Sequence, residues 1–485
     1  MASIIPSNSA TFTRDEVLSA TPGSGADFGG LARGVFTDSR AALAGGIFVA
    51  LRGERFDGHE FVRAALGAGA KLCVVEEEVS GLAPGVVMRV PSTLRALGDL
   101  ARFHRRRWAG KLLAVAGSVG KTTTRSCLAA VLRAADPRVH CPPGNLNNLI
   151  GVPMVLFGLE AEHAFGVVEL GTSVSGEIRT LTALSEPDLA VLTRISLEHA
   201  EGLGDLDAIE HEEGALLQGL RPAACALVNA DDQRCVRQLR TSPAERRVRY
   251  GLARAGSSAP EYAFSTASGD SARTTRVKLE RPGADRLVLD SPLVGVPGGY
   301  ALAAAVAGVE TLLGRSLAPA ELERALGSAA LGEPGRLTPF ELADGGLVLD
   351  DTYNSSPASV ESSIAVAAQL SRARGGRLLL VLGEMRELGA LSARAHRDVG
   401  EHVAAASPAL VVAFGGDAEL FLVAARNRGL ASHFVADALG ALAVVESERR
   451  PGDVVLVKAS RSLRAERIVS GLTAATNLAS EGTTK

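Results

Sequence analysis

No two of the five cysteines (Cys73, Cys127, Cys141, Cys225 and Cys235) stand in a Cys-x-x-Cys spacing, and their odd number completes no disulfide framework. They read as reduced cysteines that fill the core. Charge of one sign is equally scarce. The 51 Lys and Arg against 54 Asp and Glu leave −3 at pH 7, so no basic face awaits nucleic acid and any polyanion must be held locally. No apolar run reaches membrane-spanning length, and the opening Met-Ala-Ser-Ile-Ile-Pro-Ser-Asn lacks a basic region followed by an apolar one. Neither a solenoid repeat nor a low-complexity linker is present. These absences predict a cytoplasmic protein with no membrane and no nucleic-acid partner. What remains is ordinary globular composition, 46% hydrophobic and 22% charged, in 485 residues. That is too long for one core and suggests about three domains.

The most telling segment is Ala114-Val-Ala-Gly-Ser-Val-Gly-Lys-Thr-Thr-Thr124, entered from Lys111-Leu-Leu-Ala-Val. It reads as a strand, a tight glycine turn and a helix start. Backbone N–H groups of the turn (Gly117, Ser118, Val119, Gly120), the positive helix end and the Lys121 ammonium would converge on a polyphosphate. Thr122, followed by Thr123, supplies a hydroxyl for the Mg²⁺ that travels with ATP. Val115 occupies the place of the first glycine in the longer form of this loop, and a plain left-handed turn is the bland alternative. Strand context with Gly-Lys-Thr favours nucleotide.

Around this loop the pattern is α/β. Residues 31–110 carry short strands (Ile47–Leu51, Leu72–Val75, Val86–Val90) and a helical run from Leu94 to Trp108. From 111 to about 331 strands alternate with helices: Leu112–Ala116, Gly166–Leu170, Leu189–Ile195 and Ala224–Asn229, the signature of a mainly parallel sheet. Residues 240–298 read as a β insertion and Ala301–Leu313 as a small-residue helix. A third alternating unit begins near Gly332, with Leu347–Leu349, Arg377–Leu382, Leu410–Phe414 and Val454–Val457. Ser480–Lys485 read as a frayed end.

Ligands in such sheets sit beyond the carboxyl ends of the strands. Glu169 ends the second central strand, and Ser196-Leu-Glu-His199 follows the third. A carboxylate and an imidazole there are candidate metal ligands, against the bland reading of a cap and a surface histidine. On the helix Asp207–Leu220, Ile209, Leu216, Leu217 and Leu220 form one apolar arc, and Glu213 projects from its middle. A carboxylate there costs several kcal/mol unless paired. Glu210 and Glu212 fall off that arc and read as solvated. The asparagine-rich Cys141–Pro153 segment, with Asn148, suits substrate orientation or a turn. Arg336 and Asp351 lie on loops of the third unit, suited to phosphate and ribose, although turn chemistry alone explains much of the Asn-Ser-Ser-Pro sequence there.

Taken in order, these segments resemble the Mur ligase family, ATP-dependent amide-forming enzymes of peptidoglycan precursor assembly. The stretches that carry the resemblance include Thr37-Asp-Ser-Arg40, Phe48–His59, Gly117–Thr123, Gly144–Pro153, Glu169-Leu-Gly171, His199-Ala-Glu-Gly202 and Asn229-Ala-Asp-Asp232. Gly335-Arg-Leu337, Asp350–Pro357, Leu382–Gly389 and Gly452–Lys458 extend it over nearly the whole chain. The Asp-Asp-x-Tyr-Asn and Leu-Gly-Glu-Met-x-Glu-Leu-Gly stretches favour the member that adds a dipeptide. The resemblance implies three domains: 1–110 for the UDP-sugar, 111–331 for ATP, and a Rossmann-like 332–485 that closes over ATP and binds the incoming dipeptide. It implies a monomer acting on small molecules, with ATP and Mg²⁺ joining D-alanyl-D-alanine to UDP-N-acetylmuramoyl-tripeptide through an acyl phosphate. Alternatives are another amino-acid ligase of this type or a non-catalytic nucleotide-binding protein.

By resemblance, residues 117–123 with Arg336 and Asp351 contact ATP, and Lys121, Asn148, His199 and Glu213 are catalytic. Thr122, Glu169 and His199 are implied metal ligands. Thr37, Ser39 and Arg40 fall at the uridine site, Tyr353 and Asn354 at the dipeptide site. Two departures stand out. Glu213 occupies the position of the family's carbamylated lysine, so it is expected to replace the carbamate toward Mg²⁺. The family's adenine-holding His-Asn-x-x-Asn reads Tyr300-Ala-Leu-Ala-Ala304 here.

Overall fold

In the computed structural model, residues 7–53, 56–254, 259–269, 273–328 and 331–481 are described, with side chains through 474. Of the end expected to fray, Ser480–Lys485, Ser480 and Glu481 close the helix Glu466–Glu481, and 482–485 lie outside the described residues. Three sheets organise the chain. The first is parallel, in the order Val35–Phe36, Ile47–Val49, Leu72–Val75, Val87–Arg89.

The second sheet has nine strands. Lys111–Ala116 lies between Phe165–Glu169 and Leu189–Leu192, and Cys225–Asn229 follows outward. These strands are covered on both faces, which is why they read as unbroken apolar runs. Leu112, Ala114 and Ala116 face one core, with helices Thr93–Arg107, Gly151–Phe157, Glu177–Ser185 and Leu206–Gln218. Leu113 and Val115 face the other, with helices Lys121–Ala135 and Gly295–Leu313. The first of these cores also takes in Phe12, Val35, Ile47 and Leu72, so the N-terminal unit is packed onto the central one.

The stretch expected as a β insertion instead extends this sheet. Arg246–Leu252 and Tyr262–Ser268 add in parallel, then Thr275–Arg281 and Ala284–Ser291 antiparallel. Val277, Leu279, Leu287 and Leu289 are buried at alternate positions against the helix Gly295–Leu313, which supplies the reason. That helix is long and apolar enough to cross a membrane, the only such helix among the described residues. Its apolar window is 72% buried inside the protein. It is longer than the expected Ala301–Leu313 and serves as core.

The third sheet runs Thr338–Glu341, Leu347–Asp351, Val454–Lys458, Leu378–Gly383, Leu410–Phe414, Ser432–Val435. Its first strand is antiparallel and the rest parallel. The loops after Leu347–Asp351 and Val454–Lys458 face the phosphate loop of the central sheet.

Candidate active site

The turn after Lys111–Ala116 is shaped by Gly117 and Gly120, at φ 121° and 90°. A Cβ on Gly117 would stand 2.3 Å from Thr193 Oγ1 and 2.9 Å from Arg194 N, so only glycine fits. The Gly117 N–H donates to Glu213 Oε2 at 2.8 Å. Ser118 N–H donates to Arg194 O at 2.6 Å, and Ser118 Oγ accepts from Ser196 N–H at 2.9 Å. The loop is thus tied to the neighbouring strand end before any ligand arrives. From Gly120 the helix Lys121–Ala135 begins, its N-terminus open to a cavity of about 1030 Å³.

Residues 118–124 line that cavity together with Asn148, Glu169, His199, Arg336, Asp351, Tyr353 and Asn354. Chain positions more than two hundred apart therefore meet at one place. Lys121 Nζ lies 3.0 Å from Glu198 Oε1, a carboxylate that sequence reasoning passed over. Burial works to lower the Lys121 pKa, but Glu198, Glu213 and Glu169 outweigh it and hold the ammonium above its usual value. Glu169 is 3% exposed. Its Oε1 accepts from Asn147 Nδ2 at 2.9 Å, and its Oε2 is buried without a partner. Asn147, not Asn148, is the amide that orients Glu169. Asn148 Oδ1 accepts from Ile150 N–H and Gly151 N–H at 3.1 and 2.8 Å, the bland capping role.

The C-terminal unit reaches in from the opposite side. Arg336 donates to Thr122 Oγ1 at 3.1 Å and lies 4.0 Å over the Tyr353 ring, with Arg461 5.7 Å from the same ring. Arg125 pairs with Glu333 beneath it. Asp351, 7% exposed, accepts from Lys458 Nζ at 2.5 Å and Ser363 Oγ at 2.6 Å on Oδ2, and from Leu337 N–H at 3.2 Å on Oδ1. Its oxygens are committed to bracing the loop that carries Arg336. Lys458 also donates to Asn354 O at 2.9 Å. At the seam, His199 Nδ1 lies 2.5 Å from Glu387 Oε2, and Glu201 N–H donates to Glu387 O. Burial works against His199 protonation, but the hydrogen bond to Glu387 and the charge of Glu198 outweigh it and raise its pKa. His199, Leu337 and Glu387 all hold left-handed backbone at φ 48°, 51° and 65°. Such strain of about 1–3 kcal/mol per residue persists only where the surroundings enforce it.

Two expectations are corrected by this geometry. Glu213, 0% exposed, sits behind the phosphate loop rather than in the cavity. Its Oε2 holds Gly117 N–H, its Oε1 has no partner, and burial pushes its carboxyl up to about 8. Held by the loop N–H and closed off from the cavity, this carboxyl is placed to brace the phosphate loop. Among the described residues no three His, Cys, Asp or Glu side chains converge as a ready metal cage. Glu210 and Glu212 are buried, not solvated. Glu210 takes Arg234 and Arg237, each at 2.5 Å, and Glu212 accepts from Gly176 and Ile178 N–H at the start of the helix Glu177–Ser185. Thr37, Ser39 and Arg40, expected at a uridine site in the N-terminal unit, lie apart from this cavity. Arg40 pairs locally with Asp38 at 2.6 Å and is 88% exposed. At the other end of the cavity Tyr300 donates to Asp231 Oδ2 at 2.7 Å, while Ala304 is buried in the core.

Sequence models of the Mur ligase family match three spans: "Mur ligase family, catalytic domain" at 32–105, "Mur ligase middle domain" at 115–308, and "Mur ligase, glutamate ligase domain" at 335–461. The chain is 31% identical to UDP-N-acetylmuramoyl-tripeptide–D-alanyl-D-alanine ligase of Escherichia coli K12, over 90% of this chain and 93% of the relative. The same enzyme of Synechocystis is 32% identical, over 91% and 92%. Among solved structures, MurF from Acinetobacter baumannii superposes with a TM-score of 0.84 at 27% identity, covering 96% of this chain and 100% of that one. MurF ligase from Thermotoga maritima in complex with ADP gives 0.79 at 25% identity, covering 92% and 98%. By these matches the chain belongs to the Mur ligase family.

Proposed function

We infer that this chain is an ATP-dependent ligase that joins D-alanyl-D-alanine to the peptide carboxylate of UDP-N-acetylmuramoyl-tripeptide, releasing ADP and phosphate, in peptidoglycan precursor synthesis. The observation that carries this reading is the convergence of the phosphate loop, Glu169 and the C-terminal Arg336 and Tyr353 on one cavity. A carboxylate is a poor electrophile, because its leaving group would be oxide. Accepting the γ-phosphoryl group turns it into an acyl phosphate, which an amine attacks with phosphate as leaving group.

Bringing a triphosphate against a carboxylate crowds like charges. Lys121, now on Glu198, is poised to exchange that partner for phosphate oxygens, and Arg336 brings a second cation from the lid. The donors present suit Mg²⁺. Thr122 offers a hydroxyl, Glu169 an unpartnered buried oxygen, and His199 an imidazole once it parts from Glu387. When bound, the ion would offset phosphate charge. Closure of the C-terminal unit, held by Arg336–Thr122 and His199–Glu387, would keep water from the acyl phosphate. Tyr353 and Asn354, on the lid side of the cavity, are suited to the incoming dipeptide. We also propose 1–110, 111–331 and 332–485 as the functional units, each built around one of the three principal sheets.

Arg336→Ala is expected to lower kcat/KM for ATP by about 10–100-fold, since a hydrogen bond to a charged group contributes about 1.5–3 kcal/mol. Steady-state kinetics checks it, and an unchanged value would remove Arg336 from the nucleotide site. The function itself is tested by phosphate release with UDP-muramoyl-tripeptide and a panel of amine acceptors. D-alanyl-D-alanine should far exceed single amino acids; preference for a single amino acid would reassign the enzyme to another ligase of the family.

A further inference from the structure

We propose that Glu198 is a ligand of the divalent cation that travels with the triphosphate, kept on Lys121 until phosphate draws the ammonium away. This rests on the ligase reading above. Glu198 lies beyond the strand Leu189–Leu192, and Glu169 ends the strand Phe165–Glu169. These two strands flank Lys111–Ala116, so the carboxylates come to the phosphate loop from either side. Both line the large cavity together with Lys121 and Thr122. Against the pull of burial, both help hold the Lys121 ammonium above its usual value.

The charges around the loop are short of one cation. Glu198 is 6% exposed and Glu169 is 3% exposed. Glu198 Oε1 has Lys121 Nζ at 3.0 Å, but its Oε2 stands 4.0 Å from His199 Nε2, beyond hydrogen-bond reach. Glu169 Oε2 is buried without a partner. The neighbouring cations are committed elsewhere: His199 through Nδ1 to Glu387, and Arg125 to Glu333 and Gly144 O. One ammonium therefore serves two buried carboxylates.

An arriving triphosphate claims that ammonium. Glu198 is then a buried charge without its counter-ion, next to a polyanion, which is strongly unfavourable unless a cation replaces Lys121. A hard divalent ion accepts carboxylate and phosphate oxygens together. Mg²⁺ is ordinarily held by one or two carboxylates, substrate phosphates and water rather than by a complete protein cage. Two carboxylates with the Thr122 hydroxyl, and no closed cage among the described residues, match that donor set. Glu213 is closed off behind the loop, which leaves Glu198 as the carboxylate that joins Glu169 there.

The test uses the full chain, Mn²⁺ as the probe and a non-hydrolysable ATP analogue, with bound metal read by electron paramagnetic resonance. Glu198→Gln should weaken nucleotide-dependent Mn²⁺ binding at least about tenfold, and Glu198→Asp by less. Metal-free ADP, measured in EDTA, should bind as tightly as to the parent or more tightly, because Lys121 is released. Glu198→Cys with Co²⁺ and nucleotide should show a thiolate-to-cobalt absorption band that the parent lacks, and this band decides the matter if Glu198→Gln does not fold. Mn²⁺ affinity within about twofold of the parent in a folded Glu198→Gln enzyme would overturn the assignment and leave Glu198 as a counter-ion of Lys121. So would an equal loss of metal-free ADP, or a Glu198→Cys enzyme without the cobalt band. None of these readings uses turnover; absence of ligation by the unsubstituted enzyme would overturn the ligase reading instead.

Discussion

Replacing Lys121 by methionine should cost at least about 10³-fold in kcat, while the protein stays folded and still binds its acyl substrate. The loss follows from what the ammonium does. It is buried beside Glu198, within the influence of Glu169, and these carboxylates keep it charged. In the reaction it is the one side-chain cation of the phosphate loop itself. A preorganised donor to developing oxyanion charge is worth about 3–4 kcal/mol or more, hence the thousandfold figure. Methionine retains the length and apolar volume of the stem, so the helix Lys121–Ala135 should persist. Glu198, left without its partner, should take up a proton. The measurement is phosphate release at saturating substrates beside a thermal melt. A variant with near-normal kcat would mean that phosphoryl transfer does not occur at this loop.

Glu213 should show the largest effect on stability. Its folded pKa, about 8, lies above the ordinary value of 4.5, chiefly because burial disfavours the charge. Between those two values the folded state holds a proton that the unfolded chain has released. Stability is therefore highest below about pH 4.5 from this group and falls as pH rises toward 8, by roughly 3–5 kcal/mol in total. Glu213→Gln keeps an oxygen to accept from Gly117 N–H and cannot ionise. Its stability should be flatter across pH 5–8, with ligase activity within a few-fold of the parent. Glu213→Ala leaves that buried N–H without an acceptor and opens a void. It should lose about 2–4 kcal/mol even at low pH and loosen the phosphate loop. Urea unfolding from pH 5 to 9 reads all three. A Gln variant whose profile parallels the parent, or whose kcat collapses, would return Glu213 to a charged role in the site.

The parts of the fold that were legible share a physical cause. Leu112–Ala116, Leu189–Leu192 and Leu410–Phe414 are covered on both faces, so they are apolar without interruption and announce themselves. The glycine turn was readable because Gly117 tolerates no Cβ. The burial of Glu213 followed from helical spacing alone. What it touches did not, because Gly117 is 96 residues away. Glu210 and Glu212 were misjudged for a related reason: their partners, Arg234, Arg237 and the turn at Gly176, are remote in sequence and leave no local signal. Asn147 and Asn148 differ by one position, and only the backbone path decides which one meets Glu169. Residues 240–298 read as a β insertion, but their local sequence could not say that the central sheet was the partner. Glu198 was hidden beside the more conspicuous His199.

The most direct test of one shared cavity for triphosphate and acid is the fate of carboxylate oxygen. With ¹⁸O in the terminal carboxylate of UDP-muramoyl-tripeptide, the acid oxygen attacks phosphorus and leaves with it when the amine attacks carbon. Mass spectrometry of the released phosphate should find one ¹⁸O per amide bond formed. Unlabelled phosphate accompanying a labelled amide would show that ATP is cleaved apart from the acid, and would contradict this account.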